Sequence, residues 1–576
     1  MIYATADFET TTDPNDCRVW AWGICNILNP DEFVTGNNIT SFFQFLAKSE
    51  VKTVWFHNLA FDGKFITDAL LRADYKYTPE RVPEFMEFSE LISKNGKFYQ
   101  IKINLGGNIV TILDSLKLFP MSVKKLAGTF GAPEQKGEID YNEFRPIGHD
   151  LTDTELDYLR RDIQIPAYAL ALNQEQGLTK MTIGANAFEW FKQHLGKSRF
   201  RKLFPAIEQE TDSFIRQAYR GGYTYCNPKY AGVDIQGGIS VDYNSMYPSM
   251  MISKPYPVGK PIRFDGRYKQ DNVCPLYVQR LTCMFELKPN CLPCIQIKGS
   301  WGFGEHEYVE SASTPVTLTL TCVDLKLFMD MYDVDVCSWD GGFKFGQMEG
   351  LFTSYVDHWG GVKKASKGGK RQLAKLMLNN LYGKFATNPD VTRKHPVLEN
   401  DDVVHYVVGE QEFREPVYIP VGAFVTAYAR DTLIRAIMAN HDRFIYCDTD
   451  SMHLIGTEDP DGIRIHDVDL CAWKVEGTFT HARHLRAKCY IWDLNGELSV
   501  TCAGMPDNVK ALCTFDNFHY GFRNFIKDSA GNKVFKTFST IDENGESVTH
   551  DAGRLIPVCV PGGVVLEKRV YELAEK

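Results

Sequence analysis

The sequence lacks any apolar run approaching the roughly 18 residues that a membrane span requires, and its first thirteen residues carry Asp7, Glu9 and Asp13 but no Lys or Arg. A secretory leader and a membrane anchor are therefore not expected. Its fifteen cysteines are an odd number, scattered without a regular spacing, which speaks against a disulfide framework and for reduced thiols in a cytosolic compartment. Cys291 and Cys294 form a lone Cys-x-x-Cys without a second pair at zinc spacing, so it is read as incidental. Neither an internal repeat nor a low-complexity linker is present. The net charge of -10 argues against a protein that coats nucleic acid indiscriminately, yet leaves room for an enzyme with local basic grooves beside clustered carboxylates.

With 44% apolar and 24% charged residues, the whole chain should fold. At 576 residues it is too long for one hydrophobic core, and length alone suggests about four compact units. The first 180 residues read as mixed α/β, with strands such as Thr53–Phe56 and Ile109–Leu113. A helix is expected near Leu151, where Thr152 and Glu155 form a capping-box pattern ahead of Leu156, Leu159, Ile163 and Ala167 at helical spacing. Gly221 to Gly350 is strand-rich, and Leu351 to Phe385 reads as helical on both sides of an interruption at Gly368-Gly369. A polar stretch from Asp542 to Gly553 reads as a loop or hairpin tip. Charge is unevenly spread: Gly360 to Ala386 holds seven Lys or Arg and no acid, whereas Glu399 to Glu415 holds six acids and one Arg. The first segment suits phosphates, although a solvated helix face would look the same.

Acids gather in two places. Asp7 and Glu9 stand two apart on an expected strand and so share a face. Asp62 ends the string His57-Asn-Leu-Ala-Phe-Asp62, and Tyr158 and Asp162 lie four apart, on one face of the expected helix. Hydrolysis of a phosphodiester by two metal ions needs such a set, acids to hold the ions and a group such as Tyr158 to orient the attacking water. The second gathering is Asp448-Thr-Asp450, at the tip of an expected hairpin over Phe444–Leu454, with Asp242 ending a strand far upstream. If these strands share a sheet, Asp242 and Asp448 converge on one two-metal site for nucleotide addition. On the helix around Arg371, residues Arg371, Lys375, Asn379 and Tyr382 follow at intervals of four, four and three, a polar and cationic stripe suited to a triphosphate. Leu376 and Leu381, on other faces, can anchor that helix.

Together these strings resemble family B DNA polymerases. Asp7-x-Glu9, Asn58-x-x-Phe-Asp62 and Tyr158-x-x-x-Asp162 look like the family's three exonuclease motifs, which implies metal-binding roles for Asp7, Glu9, Asp62 and Asp162. It also implies a grip on the frayed single-stranded 3′ end by Thr10, His57, Asn58 and Phe61. Asp242-x-x-Ser-Met-Tyr-Pro248, Lys375-x-x-x-Asn-Asn-x-Tyr-Gly383 and Tyr446-Cys-Asp-Thr-Asp-Ser451 resemble the three polymerase motifs. By that resemblance Asp242, Asp448 and Asp450 form the metal site, Tyr247 is the steric gate against ribonucleotides, and Lys363, Arg371, Lys375, Asn379 and Tyr382 line the incoming nucleotide. Tyr219-Arg-Gly-Gly222 resembles the family's linker motif, which implies template contacts by Tyr219, Gly221 and Gly222. Lys488-Cys-Tyr490 resembles the motif that steadies the primer terminus.

Within the family, the resemblance is to the protein-primed polymerases of small bacteriophages with linear, terminal-protein-capped genomes. Lys136 and Tyr141, in Lys136-Gly-Glu-Ile-Asp-Tyr141, match that subgroup's assisting lysine and strand-contacting tyrosine, and Ser115 and Leu116 match a further strand contact. Asn388-Pro-Asp-Val391, Pro416-Val-Tyr418 and Pro561-Gly-Gly-Val-Val-Leu566 match it too, while a polar stretch after Phe525 and the short Ile491-to-Thr501 segment, a trimmed hairpin, depart from it. The implied fold is multidomain α/β and α+β, a ribonuclease H-like 3′-5′ exonuclease domain followed by a right-hand polymerase domain. The expected limits are exonuclease 1–182, palm 183–253 and 420–520, fingers 351–385, thumb 521–576, and two terminal-protein-region insertions at 254–350 and 386–419. Implied cofactors are two Mg2+ per active site, with Mn2+ able to substitute. Implied partners are primer-template DNA, single-stranded 3′ ends, dNTPs and a terminal protein that primes synthesis. The expected state is a monomer or a heterodimer with terminal protein, in the cytoplasm of the infected bacterial host.

Overall fold

The fold is taken from a computed structural model, which describes residues 2–12, 16–80, 82–132, 139–141, 143–296, 308–399, 403–503, 505 and 507–519, with four strands between 540 and 569. Lys136, Pro561-Gly562 and most of the polar stretch from Asp542 to Gly553 lie outside the described residues. The chain divides into two compact units, one made of 1–201 and 354–417 and the other of 202–353 and 418–576.

The first unit is built on a ten-stranded sheet. Tyr3–Thr10 lies inside it, parallel to Thr53–Phe56 and antiparallel to Val19–Asn26, with apolar residues buried on both faces. Thr53–Phe56 is in turn parallel to Ile109–Asp114. Helices pack over these strands, among them Leu59–Arg72 and Asp153–Glu175. The second of these opens with the expected capping box, Thr152 and Glu155 each bonding the other's backbone. Residues 386–419 supply two strands, Asp390–Leu398 and Val404–Phe413, and the first of them extends this sheet by pairing Arg393 with Ser93 and Lys394 with Ile92. Two further helices, Thr353–Ala365 and Gly368–Phe385, belong to the same unit. The break between them falls at Ser366-Lys367, so Gly368-Gly369 opens the second helix rather than interrupting the run. A side chain at Gly369 would put its Cβ 2.4 Å from the Phe130 ring, so the glycine permits close packing on the helix Val123–Phe130.

The second unit carries a seven-stranded sheet whose middle runs Trp473–Arg486, Asp234–Tyr243, Ser451–Ile455, Phe444–Asp448. Asn495-Gly496 closes a tight hairpin between Cys489–Leu494 and Glu497–Cys502, the trimmed hairpin expected there. Strands between residues 256 and 348 form a separate four-stranded sheet with the helix Cys322–Met331 beside it. The long helix Ile419–Met438, buried along most of its length, packs on both Met246–Ser253 and Cys322–Met331. The fourteen cysteines from Cys17 to Cys513 are free thiols, Cys291 and Cys294 included. Among the described residues no helix is long and apolar enough to cross a membrane.

Candidate active sites

Strand alternation and one helical turn bring the first acids together. Asp7 and Glu9 leave the strand Tyr3–Thr10 on one face, Asp162 leaves the helix Asp153–Glu175, and each offers an oxygen within 4.8 Å of the others. Asp62, in the first turn of Leu59–Arg72, is 2% exposed. Burial, then the charges of Asp7 and Glu9, raise its carboxyl well above the usual carboxylate range, and its Oδ1 is buried without a hydrogen-bond partner. A bare buried carboxylate oxygen beside three convergent acids is what hard divalent cations complete, so the residues present fit such ions. The phenol of Tyr158 is buried and 2.6 Å from that of Tyr141. Burial, that hydrogen bond and the charge of Asp162 keep it protonated far above neutral pH. It is therefore a hydrogen-bond donor at the edge of the cluster.

Around these acids, Phe61, Asn58 and Tyr141 are exposed, while Thr10, His57 and Leu116 are half-buried. Asn58 has the left-handed backbone φ 78, ψ 53 and its side chain makes no helix-cap bond. His57 Nδ1 is 2.8 Å from Ser115 Oγ and its Nε2 is 2.7 Å from the Met121 carbonyl. Ser115 differs from its expected role as a strand contact: it is fully buried, its hydroxyl donates to the Phe56 carbonyl at 3.1 Å, and it can reach a ligand only through His57.

The second set also converges. On either side of Ser451, Asp242 and Asp448 occupy neighbouring strands in register with it, so their Cα atoms are about two strand spacings, or roughly 10 Å, apart. Asp450 is tied to the same level because its carbonyl accepts the Tyr243 N–H at 2.6 Å. Asp448 accepts from Thr224 Oγ1 at 2.8 Å and from Lys488 Nζ at 2.7 and 2.9 Å. Burial and the Asp448 charge push Asp450 up to about 6, with Glu476 adding and Lys488 opposing. Glu476, which carries no motif, accepts from Ser240 Oγ at 3.1 Å on the neighbouring strand; an acid in an ordinary strand gave no signal for it. Lys488 has a φ of 56, and its backbone N–H donates to the Tyr446 hydroxyl at 3.0 Å, with the half-buried Tyr490 ring 5.1 Å from that of Tyr446. Tyr247, on the helix Met246–Ser253, is half-buried.

The glycine loop at Tyr219–Gly222 is held from behind. Arg430, buried on Ile419–Met438, donates to the carbonyls of Arg220 and Gly221 at 2.9 and 2.7 Å while pairing with Asp324 through Nη2 at 2.8 Å and Nε at 3.0 Å. Half-buried Tyr219 precedes this clamp, and a Cβ at Gly222 would stand 2.7 Å from Thr449 Oγ1, so the loop touches the Asp448-Thr-Asp450 turn directly. In the first unit, Arg371, Lys375 and Asn379 are exposed along Gly368–Phe385 and Tyr382 is half-buried, while Leu373, Met377, Leu378 and Leu381 are buried on the other side. Leu376, expected as an anchor, is only half-buried because it lies between the two faces. Arg371 Nη1 donates to the carbonyl of half-buried Lys363 at 2.9 Å, joining the two basic positions.

Two sheets, each presenting a set of converging acids, fit a nucleic-acid polymerase with a second acidic site. Residues 45–147 and 133–466 match the family model of DNA polymerase type B, organellar and viral. The chain belongs to this family of DNA polymerases. It is 42% identical to the DNA polymerase of Bacillus phage Nf, over 99% of both chains, and 41% identical to that of Bacillus phage phi29, over 98% of this chain and 97% of the relative. Among solved structures it is similar to phi29 DNA polymerase complexed with primer-template DNA and incoming nucleotide substrates, with TM-score 0.87, 40% identity, and 98% and 99% of the two chains covered. It is also similar to phi29 DNA polymerase complexed with single-stranded DNA, with TM-score 0.84 and 40% identity, covering 98% and 99%. These matches bear out the exonuclease-plus-right-hand architecture expected from the motifs.

Proposed function

We propose that this polymerase replicates a linear viral DNA genome by protein-primed initiation and processive strand displacement, and edits its product with a 3′-to-5′ exonuclease, in the cytoplasm of an infected bacterium. The observation that carries the reading is the pair of separate acid clusters, one in each unit. The phi29 polymerase complexes, one with single-stranded DNA and one with primer-template DNA and nucleotides, support two modes of engaging DNA. The proposed limits are those expected from the motifs, with 254–350 contacting the priming protein and 386–419 surrounding the template.

Asp7, Glu9, Asp62 and Asp162 would hold divalent ions in the editing site, and Asp242, Asp448 and Asp450 in the synthetic one. Bound there, magnesium or manganese supplies activation of the attacking oxygen and charge neutralisation on the leaving one. The Tyr158 phenol, fixed in its protonated form, orients the water. Thr10, His57, Asn58, Phe61, Leu116 and Tyr141 hold the frayed strand, with Ser115 supporting His57. Lys363, Arg371 and Lys375 meet the triphosphate, Asn379 and Tyr382 the nucleoside, and Tyr247 excludes a 2′-hydroxyl. Lys488 and Tyr490 steady the primer terminus, and Tyr219, Gly221 and Gly222 the template. Lys136 is proposed on its motif alone.

Primer extension and single-strand degradation, measured side by side with magnesium, test the assignment. Asp448→Ala is expected to abolish extension and keep degradation, and Asp7→Ala to do the reverse. Normal extension by Asp448→Ala would overturn the synthetic site. Priming is tested separately by incubating the enzyme with a candidate partner and one labelled dNTP, which should yield a covalent protein-nucleotide adduct.

A further inference from the structure

Asp114 opens the string Asp114-Ser-Leu116 but is given no role of its own by the resemblance, yet it joins two of the motifs. It ends the strand Ile109–Asp114 in parallel register with Phe56, and its side chain is wholly inaccessible. Three donors meet it there. Oδ1 accepts the backbone N–H of Asn58 at 3.1 Å and that of Leu116 at 2.9 Å, and Oδ2 pairs with Lys117 Nζ at 2.7 Å. One carboxylate oxygen therefore fixes both segments that the proposed function assigns to the frayed strand.

The backbone makes this anchoring matter. Asn58 is in the left-handed region, which asparagine tolerates better than most side chains but which still costs energy that its surroundings offset. Its side chain makes no cap bond to the helix that follows, and its backbone N–H is turned instead to Asp114. The charged acceptor makes that bond a strong one. The same oxygen caps the short turn Ser115–Lys117, which places Leu116 and sets Ser115 against His57.

We propose that Asp114 is a positioning residue of the editing site, holding Asn58 and Leu116 in the one relative placement that grips a single-stranded 3′ end. Being buried, it does not touch DNA. The inference rests on reading the first acidic cluster as an exonuclease. A loss of placement weakens the grip without disturbing the acids, so it falls on KM rather than kcat.

The experiment is degradation of a single-stranded oligonucleotide by the full chain with magnesium, with primer extension and thermal melting as controls. Asp114→Ala is expected to raise KM about tenfold and leave kcat within about twofold. Asp114→Asn is expected to raise KM only about threefold, because the amide keeps an acceptor for both N–H groups but loses the Lys117 pairing. Extension should be unchanged in both. An unchanged KM in Asp114→Ala would overturn the proposal, as would a fall in kcat that Asp114→Asn does not repair. If Asp114→Ala fails to fold, Asp114→Asn decides by the same split: raised KM with kcat kept supports the placement, and any other pattern overturns it. Failure of the wild-type chain to degrade a single strand would instead sink the exonuclease reading beneath it.

Discussion

In the first acidic cluster Asp62 is 2% exposed and its strongest charged neighbours are the acids Asp7 and Glu9, whereas in the second Asp448 is 26% exposed and shares both oxygens with Lys488 Nζ. The same residue type is thus held under opposite electrostatics. The second cluster brings a cation of its own, the half-exposed Lys488 ammonium. The first concentrates negative charge in a dry place, which is unfavourable for folding and favourable for divalent cations.

The contrast is broken or kept most visibly by neutralising one acid in each cluster. Asp62→Asn is expected to lower single-strand degradation by about 10³-fold or more, yet to raise the melting temperature in chelator, since it relieves an acid crowded by two others. Asp448→Asn should lower extension by a similar factor with little change in melting temperature, because the ion pair with Lys488 that it gives up offsets the relief of Asp450. That pair is half-exposed and contributes only about 0–1 kcal/mol. Calorimetry in EDTA reads the sign, and a fall in melting temperature for Asp62→Asn would contradict the contrast.

Next in size is the support behind each site. Each unit fixes a loop beside its acids with one buried arginine-carboxylate pair: Arg145 with Glu155 at 2.6 Å in the first, Arg430 with Asp324 at 2.8 Å in the second. Arg430 also holds two loop carbonyls, so Arg430→Met strands a buried aspartate, the buried Arg220 carbonyl and the part-buried Gly221 carbonyl. The expected cost is about 3–5 kcal/mol, read from denaturant unfolding, with extension falling and degradation by any folded fraction retained. A loss of less than about 1 kcal/mol would place Arg430 among ordinary surface pairs.

The local part of this structure was legible in the sequence and the tertiary part was not. The capping box at Thr152 and Glu155, the turn at Asp448-Thr-Asp450, and the exposed stripe of Arg371, Lys375 and Asn379 all depend on spacings of two to four residues, which periodicity reveals. Arg430 and Asp324 are 106 residues apart, and Asp114 reaches back 56 residues to Asn58. Arg430 and Asp324 stand in otherwise ordinary elements that nothing local marks, and Asp114, although next to Ser115 and Leu116, has no spacing that points to Asn58. Ser115 was identified by its motif but not by its burial, because a motif gives position in the chain and not the direction of a hydroxyl. The Gly368-Gly369 pair was read as a break because glycine weakens helices, and the closeness of Phe130 that retains it there is a contact across 239 residues.

The smallest effect expected is a dependence on pH, and it separates the two supports. Burial alone would raise Glu155, but the Thr152 backbone N–H, His149, Arg145 and the Thr152 hydroxyl together draw it down to about 2. A carboxylate whose folded value lies below its unfolded one stabilises the fold above the unfolded value, near 4.3, and loses that stabilisation as pH falls through the folded value. The wild-type advantage in melting temperature over Glu155→Gln should therefore be full above about pH 5 and shrink steadily toward pH 2. The loop it secures carries Tyr141, whose hydroxyl meets Tyr158, so degradation should be lost in parallel while the clamp at Arg430 is untouched. An advantage that stays constant between pH 5 and pH 2 would mean that Glu155 contributes shape and not charge, leaving Arg145 to be held by the carbonyls of Asp140 and Glu143 and by the Trp20 ring 4.4 Å away.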